Sequence, residues 1–499
     1  MNLSETISKG ARYFPEKPAL IYKGRSCSYR ELDNAVNRAS AHFRDLGLRP
    51  GDRAALYAEN RPEWIISYFG IIRLGATVVC ISSAYKSSEL HHLLGDSRPS
   101  MVITTEGLVG HIPKEAEGSP PLHIVVMEQD RLLSSIWENP PQEPVDFEIP
   151  RCAPDETCVI LYTGGTTGIP KGAMLTHQNL LYTSQNVCYH EGTSHKDVML
   201  CFMPLNHVFA GNHIMNAAFY ACAALDLHRS FDMDEILASI SENGVTRLYA
   251  VPTVYIRFLN NPESHPYLRA VRYSFSAATS MPYEVVRRWK ETFGLDIYEA
   301  YGMTETSSLA TFNHMYRHKA GSVGTPAGLV EVRLVDPEGR EVGPDEPGEV
   351  QVRGPNVMKG YFDRPKETSA AMQDGWLKSG DIGRMDREGY FYILDRVKDM
   401  IISGGLNIYP REVEEVLYTH QAVEECAVVG LEHPEYGECV TAFVQAKQGA
   451  RVDEVELIEF CKQRMASYKA PKRVVFERAL PKSPQGKILK RELRAPGSD

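Results

Sequence analysis

Short apolar, β-branched runs alternate with stretches of helical spacing over most of the chain. Val78–Ile81, Met101–Thr104, Cys158–Tyr162, Arg247–Val251 and Val271–Phe275 read as buried strands. Tyr29–Leu46 and Tyr283–Thr292 between them carry apolar residues at helical intervals. Such alternation predicts an α/β fold with largely parallel, stacked sheets. From about Thr325 the texture changes. Val330–Val335, Gly348–Arg353 and Gly389–Leu394 predict strands separated by turn signals such as Asp336-Pro337-Glu338-Gly339, hence a small β-rich subdomain. After Asp399 helices marked by Val413, Val416, Leu417 and by Leu457, Ile458, Cys461, Met465 accompany strands near Ala427–Val429, Thr441–Ala446 and Arg473–Phe476. The pattern therefore divides the chain into a large N-terminal part, residues 1–395, and a compact α+β C-terminal part, residues 399–499.

Size agrees with two units, because 499 residues exceed what one hydrophobic core serves. A formal net charge of −10 argues against nucleic acid or an anionic membrane as the main partner. The two most apolar windows, Trp64–Tyr85 and Gly211–Leu227, are interrupted by Arg73 and by Asn212, His213 and Asn216, so neither predicts a membrane span. The N-terminus has no apolar run of signal-peptide length. The ten cysteines are scattered, without C-x-x-C or a His cluster at metal-ligand spacing. Together these features predict a cytoplasmic protein with reduced thiols.

Chemistry concentrates in five motifs. Tyr162-Thr-Gly-Gly-Thr-Thr-Gly-Ile-Pro-Lys-Gly172 follows an apolar strand. Its glycines allow a tight turn with N–H groups pointing inward, the hydroxyls of Thr163, Thr166 and Thr167 add donors, and Lys171 adds a cation. It lacks the Gly-Lys-[Ser/Thr] ending of a Walker A loop. Tyr301-Gly-Met-Thr-Glu305, Ser379-Gly-Asp381, Asp395-Arg-Val-Lys-Asp-Met-Ile-Ile-Ser-Gly-Gly405 and Pro484-Gln-Gly-Lys-Ile-Leu-Lys490 follow in order. Taken singly each is weak: a Gly-Thr loop is as often a surface turn, and a lone glutamate is usually a solvated charge.

In this order, and preceded by Asn60-Arg-Pro-Glu-Trp64, the five motifs resemble the adenylate-forming superfamily of acyl- and aryl-CoA synthetases, amino-acid adenylation domains and beetle luciferases. The resemblance spans essentially the whole chain. It implies an AMP-forming acid–thiol ligase that joins a carboxylic acid to coenzyme A at the expense of ATP, with Mg²⁺, through an acyl-adenylate. It implies that Thr163, Gly164, Gly165, Thr166, Thr167, Gly168 and Lys171 hold the β- and γ-phosphates, and that Ala277, Ala278, Thr279, Tyr301 and Gly302 border adenine. By the same resemblance Asp381 would take the ribose hydroxyls, Arg396 would touch ribose and phosphate, Glu305 would carry the metal with Thr304 beside it near the α-phosphate, and Lys487 would catalyse adenylation. Residues 396–398 become a hinge centred on Lys398, and Ser403, Gly404 and Gly405 a hairpin offered to coenzyme A by a mobile C-terminal domain. Gly164 stands where serine is common in the superfamily, and Ser379 where threonine is. Neither change removes a charge or a backbone donor that the chemistry needs.

His207, Phe209 and Ala300 fall where the resemblance puts the acyl pocket, with His207 between the carboxylate and the coenzyme A tunnel. Ala300 is bulkier than glycine and, unlike arginine, offers no cation for a second carboxylate. An apolar monocarboxylate of short or medium, branched, cyclic or aromatic type is therefore expected. The alternatives are a long-chain fatty-acid CoA ligase and a stand-alone enzyme loading an acyl carrier protein. A luciferase-like oxygenase shares the first half-reaction. A non-catalytic relative is disfavoured by the presence of Glu305, Asp381, Arg396 and Lys487. The expected partners are the acid, ATP and coenzyme A, with no nucleic acid and no transmembrane segment, and a homodimer is an admissible assembly.

Overall fold

The computed structural model describes residues 1–113, 122–163, 170–279, 281–403, 405–434, 436–483 and 488–494. Two large sheets dominate. In the first, parallel strands Val198–Cys201, Ala224–Leu227, Arg247–Ala250, Tyr273–Ser276 and Ile297–Tyr301 form the centre of nine. In the second, Arg53–Tyr57, Thr77–Ile81, Met101–Thr104 and Thr157–Thr163 run parallel within seven. Continuous apolar sequence suits both, since strands covered on both faces have no solvated side.

Helices Tyr29–Asp45 and Pro62–Arg73 pack together within the shared core, and every residue of the second helix is buried. Beyond Glu63 in its first turn the helix carries a single charge, Arg73, the residue that argued against a membrane span. Arg73 is fully buried, pairs with Asp33 at 2.8 Å and donates to Ser4 O and Ser8 Oγ at 3.0 Å. A buried guanidinium persists only when its donors are met in this way. Among the described residues no helix is long and apolar enough to cross a membrane, and all ten cysteines are free thiols.

The change of texture near Thr325 coincides with a smaller antiparallel sheet built from Glu331–Val335, Gly348–Arg353, Trp376–Met385 and Phe391–Arg396. Beyond it, Ile401–Ser403, Leu406–Ile408, Val423–His433, Gly437–Ala446 and Arg473–Phe476 form a fourth sheet. This last sheet has its own core of Ile401, Val413, Leu417, Val428, Val440 and Leu457, covered by helices Pro410–Tyr418 and Glu454–Lys462. The result is a large α/β part with stacked sheets and a β-rich annex, followed by a smaller α+β part. Several boundaries shift by a residue or two: the strand expected at Gly389–Leu394, for one, runs Phe391–Arg396. The strand expected from Val271 begins at Tyr273, and Met465 lies past the end of its helix, packed against the C-terminal core.

Helix Pro410–Tyr418 joins the two parts. Arg411 Nη1 donates to Ile393 O at 2.7 Å, and Glu415 Oε2 accepts from Tyr283 N–H at 3.0 Å, at the start of helix Tyr283–Phe293. On either side of residues 396–398, Asp395 faces Lys490 at 3.8 Å and Asp399 pairs with Arg494 at 2.9 Å.

Candidate active site

The 162–172 motif begins at the end of strand Thr157–Thr163, which pairs antiparallel with strand Lys171–Thr176, Thr163 directly opposite Lys171. Gly164, Gly165, Thr166, Thr167 and Gly168 lie outside the described residues. The Lys171 ammonium sits 5.3 Å from the centre of the Tyr361 ring. Tyr361 in turn donates to Glu305 Oε1 at 2.8 Å, and Thr163 Oγ1 reaches the same oxygen at 3.4 Å. Two hydroxyls thus converge on one carboxylate oxygen, in a buried position (Glu305 is 6% exposed). No cationic side chain pairs with Glu305 among the described residues. Burial and the Glu305 charge push the Tyr361 hydroxyl well above its ordinary pKa, so it stays a donor.

Glu305 is presented by the short 3₁₀ turn Thr304–Thr306, which follows strand Ile297–Tyr301. Gly302 is required where strand passes into turn: a Cβ there would stand 2.1 Å from Ser308 O. Ser307 and Ser308 adopt left-handed backbone at φ 54° and 91°, folding the chain back over Gly302. Asn212 holds this turn from the opposite side, its Nδ2 donating to Ser307 O at 2.7 Å.

A second cluster lies at the start of that turn. Tyr301 Oη donates to Asp381 Oδ2 at 2.6 Å, and Arg396 Nε stands 3.5 Å from Asp381 Oδ1. Asp381 and Arg396 are register partners on strands Trp376–Met385 and Phe391–Arg396, which explains how residues distant in sequence meet. Ala277, Ala278 and Thr279 leave the end of the adjoining strand Tyr273–Ser276, beside the Ile297–Tyr301 strand. Ala278 has φ +72°, a conformation costing about 1–3 kcal/mol for a residue with a side chain. Strain of that kind gathers at ligand-binding segments.

His207 occupies the loop between strand Val198–Cys201 and a wide π-helical stretch, Phe209–Asn216. Its Nδ1 accepts from Phe209 N–H at 3.2 Å, which leaves Nε2 as the protonated nitrogen of the neutral ring. Phe209 is buried beside Phe275 and His213, with ring centres 5.9 and 5.6 Å away. Phe312, the strand partner of Ala300, closes the same group from 5.5 Å off Phe275. His213 bonds Glu191 at 2.8 Å, and Tyr249 donates to that carboxylate at 2.5 Å, both far from solvent.

In the C-terminal part, Ser403 and Leu406 pair across a β-hairpin, with Gly405 at φ +80°. Gly404 is outside the described residues. Lys398 is exposed on a turn. Among the described residues, neither Lys398 nor the hairpin bonds to the Glu305 or Asp381 clusters. Lys487 also lies outside the described residues. The chain around it is anchored by the Lys482–Ile488 bridge, by Lys482 on Glu425 at 2.6 Å and by Lys490 on Glu414 at 2.8 Å. Tyr361 and the Glu191–His213 pair had no motif to announce them.

A model of the AMP-binding enzyme family matches residues 7–362, and one of the AMP-binding enzyme C-terminal domain matches residues 412–487. The chain is 34% identical to a long-chain-fatty-acid–CoA ligase of Bacillus subtilis (strain 168), over 98% of its own length and 94% of that protein. It is 36% identical to a feruloyl-CoA synthase of an Amycolatopsis species, over 97% of its length and 96% of that protein. The crystal structure of ATP-bound MatB from Rhodopseudomonas palustris superposes with a TM-score of 0.91 at 31% identity, covering 99% of this chain and 98% of that one. With its ordered motifs, its two-cluster site and both family models matched in sequence, the chain belongs to the AMP-binding enzyme family.

Proposed function

We propose that this AMP-forming acid–CoA ligase takes an apolar monocarboxylate of short or medium, branched, cyclic or aromatic type. The observation that carries the substrate class is the aromatic group behind Ala300. The Phe275 ring centre stands 5.9 Å from that of Phe209 and 5.5 Å from that of Phe312, and Ala300 is the strand partner of Phe312. A long flexible tail would have to displace these buried rings. Arg247, a cation near this group, is already engaged by Asp197 at 3.1 Å and Glu191 at 3.6 Å, so a second carboxylate on the substrate would find no unpaired charge there.

The reaction follows from charge. A carboxylate attacking the α-phosphate approaches a polyanion, and repulsion is the first barrier. Mg²⁺ would supply Lewis-acid neutralisation of the phosphate oxygens. Glu305 fits as its protein ligand, being a hard oxygen donor oriented by two hydroxyls and paired with no cation among the described residues. Lys171 and Lys487 add positive charge toward the departing diphosphate. Asp381, held by Tyr301 and Arg396, receives the ribose hydroxyls. Residues 1–395 carry out adenylation with Lys487. The C-terminal domain, residues 399–499, then turns about 396–398, withdraws Lys487 and presents Ser403, Gly404 and Gly405 to coenzyme A. The protein works in the cytoplasm on three small-molecule substrates.

The test is diphosphate release with Mg-ATP across a panel of acids, with and without coenzyme A. Release with aryl and short acids, converted to AMP and thioester on adding coenzyme A, is the expected result. Preference for long-chain acids would overturn the substrate class, and release with no coenzyme A product would overturn the acceptor.

A further inference from the structure

The Asn60-Arg-Pro-Glu-Trp64 motif has no part in the chemistry described so far. Asn60 leaves strand Arg53–Tyr57 of the seven-stranded sheet, just before helix Pro62–Arg73. Its side chain is buried (4% exposed) yet faces a loop of the other large sheet. Asn60 Nδ2 donates to Met203 O at 2.9 Å and to His228 O at 3.1 Å, and Asn60 Oδ1 accepts from Leu205 N–H at 2.9 Å. One amide thus grips both sides of Pro204 and ties that loop to the end of strand Ala224–Leu227.

The grip is transmitted directly to His207. Pro204 O accepts from His207 N–H at 3.0 Å, and His207 O accepts from Gly211 N–H at 2.8 Å, so the loop leads into the π-helical stretch without slack. A cleft of about 210 Å³ opens at this point, lined by Asn60, Ser83, Pro204, Asn206 and Arg229 among others. Hydrophobic packing alone would fix this crossing between sheets. A buried amide satisfied on both its donor and acceptor sides instead fixes one register of the loop, since any other leaves polar groups unpaired.

We infer that Asn60 is a positioning residue for thioester formation, holding His207 at the mouth of the acyl site through the 203–205 loop. The inference rests on the proposed role of His207 between acyl carboxylate and coenzyme A. Displacement of a reacting neighbour by about 1 Å is enough to cost on the order of 10²-fold in rate.

The experiment is a double-mutant cycle on the full-length enzyme, with rates of thioester formation from supplied acyl-adenylate and coenzyme A, and thermal midpoints alongside. Expected are losses of about 10–100-fold for Asn60→Ala and for His207→Ala, with the double variant no slower than the worse single one. Asn60→Ser, which keeps a hydroxyl donor in the same buried space, serves in the same cycle should Asn60→Ala not fold. Losses that multiply in the double variant would mean that Asn60 stabilises the fold without acting through His207, and would overturn the inference. A slow His207→Ala enzyme beside unimpaired Asn60 variants would overturn it while leaving the role of His207 intact. An unimpaired His207→Ala enzyme would overturn both.

Discussion

Tyr301 and Asp381 are joined by a buried hydrogen bond of 2.6 Å, between the strand that leads into the Glu305 turn and the β-rich sheet. The bond aims the carboxylate, and burial, reinforced by the charge of Asp381, keeps the Tyr301 hydroxyl protonated far above its ordinary range. Tyr301→Phe removes the donor and little else. Loss of a hydrogen bond to a charged group costs about 1.5–3 kcal/mol, so KM for ATP should rise roughly 10-fold or more, with KM for the acid nearly unchanged. Steady-state kinetics with each substrate varied in turn checks this, and equal rises in both would show that Asp381 does not serve the nucleotide.

Tyr361 gives a second prediction through Glu305. Groups that orient a metal-binding carboxylate typically contribute about 10–100-fold in metal affinity. Tyr361→Phe deletes the 2.8 Å bond to Oε1 and leaves Thr163 as the remaining hydroxyl on that oxygen among the described residues. The free Mg²⁺ needed for half-maximal diphosphate release should rise about 10-fold or more, and saturating Mg²⁺ should recover most of the rate. An unchanged Mg²⁺ profile would remove Glu305 from the metal site.

Much of this site was legible in sequence, and the reason is local continuity. Thr163 and Lys171 flank one hairpin, Tyr301 through Glu305 form one strand-to-turn unit, and Ser379 through Asp381 belong to one strand. Buried parallel strands were legible too, because both of their faces are apolar. What sequence could not supply is pairing across the fold. Tyr361 lies on a two-residue edge strand, too short for any periodicity, and meets a glutamate 56 positions away. Asn60 meets a backbone N–H 145 positions away. His213 read as an interruption of an apolar window, whereas its reason is Glu191, buried beside it on the preceding helix.

The role proposed for Lys487 separates the two half-reactions. If it serves only adenylation, Lys487→Ala should lower diphosphate release by about 10²–10³-fold, by analogy with the loss of a fixed oxyanion donor. Thioester formation from supplied acyl-adenylate should remain within a few-fold of the parent enzyme. Equal losses in the two assays would contradict a division of labour between two orientations of the C-terminal domain.

Glu299 ties stability to pH beside helix Pro410–Tyr418 of the C-terminal part. Glu299 is 3% exposed, two residues before Tyr301 on the same strand. Burial raises its carboxyl to about 8; Arg411 pulls it down and Glu415 pushes it up, both from helix Pro410–Tyr418 of the C-terminal part. An unfolded glutamate ionises near 4.3. Between that value and about 8 the folded protein therefore holds a proton that the unfolded chain has released. Stability must then fall as pH rises through this window, and the contribution levels off above it. Glu299→Gln keeps the shape and cannot ionise. Its thermal midpoint should gain on the parent increasingly from pH 5 toward pH 8, and lose the part of the pH slope that Glu299 supplies. Thermal unfolding of both proteins from pH 5 to 9 measures that difference directly. Parallel curves would mean that Glu299 is ionised at neutral pH, its charge offset by Arg411.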